Sequence, residues 1–558
     1  MEQTTVGNYL AQRLLEAGIQ DFFAVPGDFN LALLDELIAH PGLRMVTCCN
    51  ELNAGYAADG YARARGAAAL VVTFAVGGLS AVNAVAGAYA EDLPVVVVSG
   101  GPNALSLKEG RTLHHTLARP GEGETWVRDL FRPITAATFL VRDPEQAPRA
   151  IDGALLAALK ARKPVYLEIA CNLARESVSL PHPMSVPPAE SADALSQEAA
   201  ASHASAFLNL ARQPVLVAGS LLRCGRAVSA FRDLAERSGY GVACMPDAKG
   251  LFPEDHPQYL GIYWGTASSP GCREVVEASD AYLFAGARFN DYTTLGYSTL
   301  LQRARMVQAC PRHACVGGQS YQGLLLPEFL GDVAGRLKPN PAALEAFRRD
   351  PLPGAEPVSA PAEAPLAARD LYARIQAQLA PGDTLVADTG DAWFQAMALR
   401  LPEGSRFEIQ MQYGAIGWSV GALLGLGVAD RNRRLLGLVG DGCFQMAAQE
   451  LGTILRERLR GLIVILNNGA YAIEAMIHDG PYNDLQAWRY AALAEAMAAG
   501  APLVARRVTT LGELDGALAE AGDFPGLTVL EAVLDRADCS RALLGWGAAV
   551  SGYNARKE

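Results

Sequence analysis

Apolar positions along the chain follow two periods in alternation. Val6, Leu10, Leu14 and Leu15 share one helical face, and Gly18 closes that helix. Short apolar runs follow at 22–25, 44–49, 70–74, 95–99 and 165–170, with helical patterns between them. Such runs read as parallel strands buried on both faces by helices. Pro181, Pro183, Pro187 and Pro188 interrupt the pattern and predict an extended tether. A second module runs from about Asp193 to Leu337, with strands at 215–218 and 281–284. Pro339, Pro341, Pro351, Pro353, Pro357, Pro361 and Pro365 predict a second tether, and a third module starts near Leu366. The expected fold class is α/β: three doubly wound parallel-sheet domains over 1–188, 189–350 and 351–558.

The segment 66–90 carries no charge, and its length alone would allow a membrane crossing. Thr73, Gly77, Gly78, Ser80, Asn83 and Gly87 divide it better into a strand at 68–74, a Gly77-Gly78 turn and a helix at 79–90. No membrane partner is therefore expected. Half of the 558 residues are apolar, enough for large cores. The net charge of −12 lacks the Lys/Arg surplus that nucleic-acid binding needs. Cys310 and Cys315 bracket His313, but a structural zinc site usually takes a second ligand pair, and none follows. The ten cysteines read as reduced thiols. Met1-Glu2-Gln3-Thr4 opens without a signal peptide's basic and apolar run, so a cytoplasmic location is expected.

The third module carries the most chemistry. A strand at 435–439 runs into Gly440-Asp441-Gly442, a helix follows at 444–456, then a strand at 462–466 and Asn467-Asn468. A right-handed crossover sets these strands parallel, with both turns at the carboxyl end of the sheet. Neighbouring strands lie about 4.8 Å apart, so Asp441 and Asn468 can reach one cation. Oxygen ligands with no His or Cys nearby suit a hard ion such as Mg²⁺. The glycines and the helix start suit a diphosphate. A tight turn followed by an ordinary Asn-rich loop fits the same letters.

This strand–turn–helix–strand unit resembles the cofactor motif of the thiamine diphosphate-dependent 2-oxo acid decarboxylase family. The resemblance implies Mg²⁺ ligands at Asp441, Asn468 and the carbonyl of Ala470, where the family often has Gly. It implies cofactor contacts at Val76, Thr389, Gly390, Gly414, Gly440 and Gly442, and a bulky apolar support at Ile416. Ala415 stands where the nearest branch often has His. Cys49-Asn50-Glu51-Leu52-Asn53-Ala54-Gly55-Tyr56 resembles the segment of the family's catalytic glutamate, which implies that Glu51 meets the cofactor's aminopyrimidine ring. Asp28, the pair His114-His115, and Glu474 resemble the acid–base set of the pyruvate decarboxylase branch. Tyr292, Trp393, Ile473, Ile477 and Trp546 would wall the substrate pocket, beneath a carboxyl-terminal covering helix like that of the bacterial members.

The implied reaction is nonoxidative decarboxylation of a small 2-oxo acid, pyruvate to acetaldehyde and CO₂. The implied assembly is a homotetramer of dimers, with Glu51 of one subunit facing the metal loop of another. The rivals are decarboxylases of phenylpyruvate, indolepyruvate or branched-chain 2-oxo acids. FAD-containing acetolactate synthases and pyruvate oxidases fit less well beside His114-His115 and Glu474. An inactive scaffold fits poorly with Glu51, Asp441 and Asn468 all present. No Gly-x-Gly-x-x-Gly follows a strand, which counts against a NAD-linked dehydrogenase.

Overall fold

A computed structural model of the protein describes residues 3–117, 125–180, 191–349 and 361–555. The first tether, with Pro181, Pro183, Pro187 and Pro188, lies outside the described residues. Each of the three modules is built on its own sheet. The first sheet orders its strands Arg44–Thr47, Asp21–Ala24, Ala68–Thr73, Val95–Gly101, Val165–Ala170 and Thr138–Val141, all parallel. The third orders Arg406–Glu408, Thr384–Ala387, Leu435–Gly440, Gly461–Asn467, Leu527–Val533 and Leu503–Val508, again all parallel. Numbered within its own domain, each sheet reads 2-1-3-4-6-5. The two domains are topological copies of one another.

The middle sheet departs from the parallel expectation at one edge. Five parallel strands end in an antiparallel extension, His313–Val316 and Gln319–Gln322. Cys310 and His313 face each other as ladder partners there, and all ten cysteines are free. The bracketed histidine thus belongs to a hairpin. Two local expectations also change. Gly77 and Gly78 lie inside the helix Val76–Ala90, and the turn falls at Ala75, whose φ is 53°. The helix expected at 444–456 is two helices, Asp441–Ala447 and Glu450–Arg456, the first beginning at Asp441 itself. Of the second tether, Pro351, Pro353 and Pro357 lie outside the described residues. Ala342–Arg349 is a helix that buries Ala343 and Leu344 against the middle domain, and Pro365 bridges to Thr510 of the third domain. Among the described residues no helix is long and apolar enough to cross a membrane.

The duplication has a physical contact at its centre. Helix Glu51–Arg65 follows the second strand of the first domain, and helix Trp418–Ala429 follows the second strand of the third. These equivalent helices pack on each other through small residues. A methyl group at Gly60 would collide with the Ala422 carbonyl, and one at Gly425 with the Ala57 carbonyl. All twelve residues of Trp418–Ala429 are buried. The loops that open both helices are thereby held from behind by one rigid contact.

Candidate active site

Three loops leave the carboxyl end of the third sheet side by side: Asp388-Thr389-Gly390, Gly440-Asp441-Gly442 and Asn467 to Ala470. They border a cavity of about 360 Å³. Of the predicted site residues, Thr389, Ile416, Gly440, Asp441, Gly442, Asn468, Ala470, Ile473 and Glu474 line it, and Val76, Gly390 and Gly414 do not. Asp441 is 2% exposed. Its Oδ1 accepts from the Gly442 N–H at 2.9 Å and its Oδ2 from the Gly469 N–H at 2.7 Å. Burial pushes its carboxyl up to about 6, against the pull of those backbone donors. No Lys or Arg pairs with it among the described residues. A buried carboxylate without a cationic partner, beside the Asn468 amide oxygen and a backbone carbonyl, fits a hard divalent ion. The left-handed backbone in this loop belongs to Gly469, with φ 70°, and not to Ala470. Alanine therefore suits its position, and its N–H donates to Asn468 Oδ1 at 3.1 Å.

The surroundings of Asp441 are shaped by glycine. Gly390 has φ 129° and open space where a side chain would project. A methyl group on Gly442 would strike the Tyr471 ring. Gly414, with φ 70°, faces the Tyr292 ring, and the Ala415 N–H donates to Gln410 Oε1 at 3.1 Å. Ile416 is partly buried against the core and reaches the cavity.

Asp388 was not singled out from the sequence. It is fully buried, and its Oδ2 accepts from the Ser419 N–H at 3.1 Å and the Ser419 hydroxyl at 2.5 Å. Its Oδ1 accepts from the Thr389 N–H at 2.7 Å. The Cys443 thiol donates to the Thr389 carbonyl at 3.1 Å. One carboxylate therefore ties the Thr389 loop to the start of the Trp418–Ala429 helix, where the helix dipole favours negative charge. Burial still raises its pKa. The signal available in the sequence was an acidic residue ending an apolar strand directly before Thr389-Gly390.

Of the five residues predicted to wall a substrate pocket, Ile473 lines this cavity, while Tyr292, Trp393, Ile477 and Trp546 lie outside its lining, three of them in one aromatic cluster. Tyr292 meets Trp393 edge-on at 5.2 Å and stacks on Trp546 at 4.9 Å. Both indoles are buried, and neither N–H has a hydrogen-bond partner among the described residues. Ile473 and the half-buried Ile477 share the short helix Ala472–Ile477, with Glu474 in its first turn. The terminal helix Arg541–Asn554 packs on that helix. Gly547 permits the approach, since a methyl group there would meet the Met476 carbonyl.

The first domain holds a second cluster. Glu51 is the first residue of Glu51–Arg65, whose cap Asn50 accepts from the Asn53 N–H at 2.8 Å. Its carboxylate is half-buried, and burial raises its pKa. A Cβ on Gly77 would sit 2.9 Å from Glu51 Oε1, so glycine keeps that flank open, beside the exposed Val76. His114 Nε2 lies 2.8 Å from Asp28 Oδ2. The His114 ring stacks on Phe29 at 5.0 Å and meets His115 at 4.4 Å. Asp28, His114 and His115 thus form one exposed group. The described residues that line the Asp441 cavity include neither that group nor Glu51.

Two wound domains of one topology, one with a half-buried glutamate at a helix start and one with a buried carboxylate among glycine loops, suit an enzyme that holds a diphosphate cofactor through a cation. Residues 4–119, 201–323 and 388–532 match the N-terminal TPP binding domain, the central domain and the C-terminal TPP binding domain of thiamine pyrophosphate enzymes. The chain is 45% identical to pyruvate decarboxylase 2 of Oryza sativa subsp. japonica, over 99% of this chain and 92% of the relative. It is 46% identical to pyruvate decarboxylase 1 of Zea mays, over 99% and 91%. It is 44% identical to pyruvate decarboxylase 2 of Arabidopsis thaliana, over 99% and 92%. The chain belongs to the thiamine diphosphate-dependent 2-oxo acid decarboxylase family.

Proposed function

We propose that this protein decarboxylates pyruvate without oxidation, releasing acetaldehyde and CO₂, with thiamine diphosphate held through Mg²⁺. The observation that carries this reading is the 44–46% identity, over 99% of the chain, to curated pyruvate decarboxylases. Tyr292, Trp393 and Trp546 meet at 4.9–5.2 Å and favour a short acyl chain over an aromatic one. The names of the curated relatives support the same substrate. The domain boundaries 1–188, 189–350 and 351–558 are kept, with Ala342–Arg349 closing the middle domain.

Asp441, Asn468 and the Ala470 carbonyl would hold the ion. Gly440, Gly442, Thr389 and Gly390 would admit the diphosphate. The Gly414 carbonyl and Ile416 would support the rest of the cofactor, with Val76 alongside. The cofactor supplies a nucleophilic carbon and an electron sink for the pair left when CO₂ departs. Glu51 would hold a ring nitrogen by a hydrogen bond and pass a proton there. The net reaction takes up one proton as pyruvate becomes acetaldehyde and CO₂. Glu474 lines the cavity and would move that proton at the reacting carbon. Asp28, His114 and His115 would relay it, since imidazole is suited to transfer near neutral pH. Because Glu51 and the histidine group do not line the Asp441 cavity of their own chain, two chains would complete two sites within a homotetramer of dimers. The free cysteines suit a reducing compartment, so the cytoplasm is the proposed location.

Aldehyde formation from a panel of 2-oxo acids tests the assignment, and a preference for phenylpyruvate over pyruvate overturns it. Trp393→Ala is expected to shift the ratio of kcat/KM toward aromatic 2-oxo acids by about 10–200-fold, the range set by small apolar changes in a pocket. An unchanged ratio would remove Trp393 from the pocket wall. Glu474→Gln is expected to retain cofactor and lose at least about a hundredfold in turnover. Acid-quench analysis of bound species reads this directly, and a wild-type distribution at wild-type rate would make Glu474 a bystander.

A further inference from the structure

Asp391 follows Thr389-Gly390 and lines the same cavity as Asp441. The proton relay and the metal loop described above do not use it. Its carboxylate is turned to the far end of the chain. Asp391 Oδ1 accepts from the Ser540 hydroxyl at 2.5 Å and from the Ser540 N–H at 3.1 Å, and Oδ2 lies 3.2 Å from the same N–H. Gln395 Nε2 donates to Oδ2 at 3.2 Å within the local helix.

Ser540 is the residue on which the terminal helix begins. Its hydroxyl oxygen accepts from the Leu543 N–H at 3.0 Å, and the Leu544 N–H donates to its carbonyl at 3.1 Å. It therefore caps Arg541–Asn554 while donating to Asp391. Upstream, Asp538 Oδ2 accepts from the Ala368 N–H at 2.6 Å, which fixes the segment leading into the cap. Downstream, Trp546 stacks on Tyr292, and Gly547 rests on the Met476 carbonyl. The end of the helix that carries the pocket wall is thus fastened to the residue directly after the Thr389-Gly390 loop. Along the helix Leu543 and Trp546 are buried, while Leu544 is 50% exposed.

We propose that Asp391 is a positioning residue that, through Ser540, fastens the terminal helix to the cofactor loop and so holds Trp546 in the substrate wall. The charge matters because two oxygens of one carboxylate accept from both donors of one residue. A charge-assisted hydroxyl bond of this kind is roughly twice as strong as a neutral one. Loss of the fastening frees the helix, lets Trp546 leave Tyr292, and widens the pocket without removing any group that touches the ion. The proposal rests on the pocket assignment for its substrate effect, and not for the helix anchoring itself.

The test uses the full-length protein, first without cofactor, by hydrogen exchange over 541–554. Ser540→Ala and Asp391→Ala are each expected to speed exchange there by at least about tenfold, the factor for a bond of about 1.4 kcal/mol. The double variant should exchange no faster than the more severe single one, and Ser540→Thr should restore protection. Wild-type exchange rates in both single variants, or effects that simply add in the double variant, overturn the anchoring. With cofactor, the Ser540→Ala enzyme should show a raised KM for pyruvate, a kcat within about threefold, and better use of longer 2-oxo acids. An equal fall in kcat for every substrate, with KM unchanged, overturns the role in positioning Trp546. Failure of the wild type to act on pyruvate would count against the proposed substrate and leave the exchange result to decide the anchoring.

Discussion

Asp441→Ala should leave the protein folded and unable to retain thiamine diphosphate through desalting. The carboxylate is 2% exposed and unpaired by any cation among the described residues, so its negative charge is the feature an ion would answer. Changes one shell removed from a metal commonly cost 10–100-fold in affinity, and loss of a direct ligand should cost at least about 100-fold on that scale. Calorimetric titration with cofactor and Mg²⁺ measures it, and wild-type affinity would end the metal assignment. The same residue should work against the stability of the cofactor-free protein. Burial lifts its pKa from 3.8 to about 6, so the folded chain holds the proton more tightly than the unfolded chain does. Stability is then lost as pH rises from about 4 through about 6. Cofactor-free Asp441→Asn should melt at a higher temperature than wild type at pH 7 to 8, and the gap should close below about pH 4. A lower melting temperature at pH 8 would contradict the burial argument.

Glu51→Gln should bind thiamine diphosphate and lose turnover by about 10²–10⁴-fold, the usual worth of a positioned acid–base group. The substitution keeps the size of the side chain, so the space left by Gly77 stays filled as before. What disappears is the carboxylate, whose pKa burial already raises toward the range of proton exchange. The decisive measurement is the exchange of the reactive carbon's proton on bound cofactor, by quenched-flow nuclear magnetic resonance. Exchange at the wild-type rate would reduce Glu51 to a helix-start acid.

The parts of the site that the sequence disclosed are those written in adjacent letters. Gly440-Asp441-Gly442 and Asn467-Asn468 end strands that pair directly, with Gly440 opposite Leu466 in register. Strand pairing converts that local pattern into a shared point in space. Glu51 was placed at a helix start by the strand before it, and the structure makes it the first residue of Glu51–Arg65, while its role came from the resemblance of residues 49–56. The buried runs of the parallel sheets gave the fold class, since strands covered on both faces have no polar alternation to confuse with a surface. Asp388 and Asp391 were not legible. Their partners lie 31 and 149 residues away, at Ser419 and Ser540, and no periodicity links such positions. The Val76 helix start was missed because Gly77-Gly78 reads as a turn, while close approach to Glu51 and Thr73 is what demands glycine at 77. The matching strand orders of the first and third domains were also invisible, because spatial order within a sheet depends on crossovers and not on spacing along the chain.

The packing of Glu51–Arg65 on Trp418–Ala429 bears on how the protein is made. The first helix leaves the ribosome hundreds of residues ahead of the helix that covers it. At roughly 5–20 residues per second, the delay is on the order of 20–70 s. Throughout that interval the Ala57 and Gly60 face has no mate, even after Val165–Ala170 has completed the first sheet. A smooth, small-residue helical surface of this kind is a template for the corresponding helix of any neighbouring nascent copy. Correct assembly therefore depends on the third domain of the same polypeptide arriving before a stranger's does.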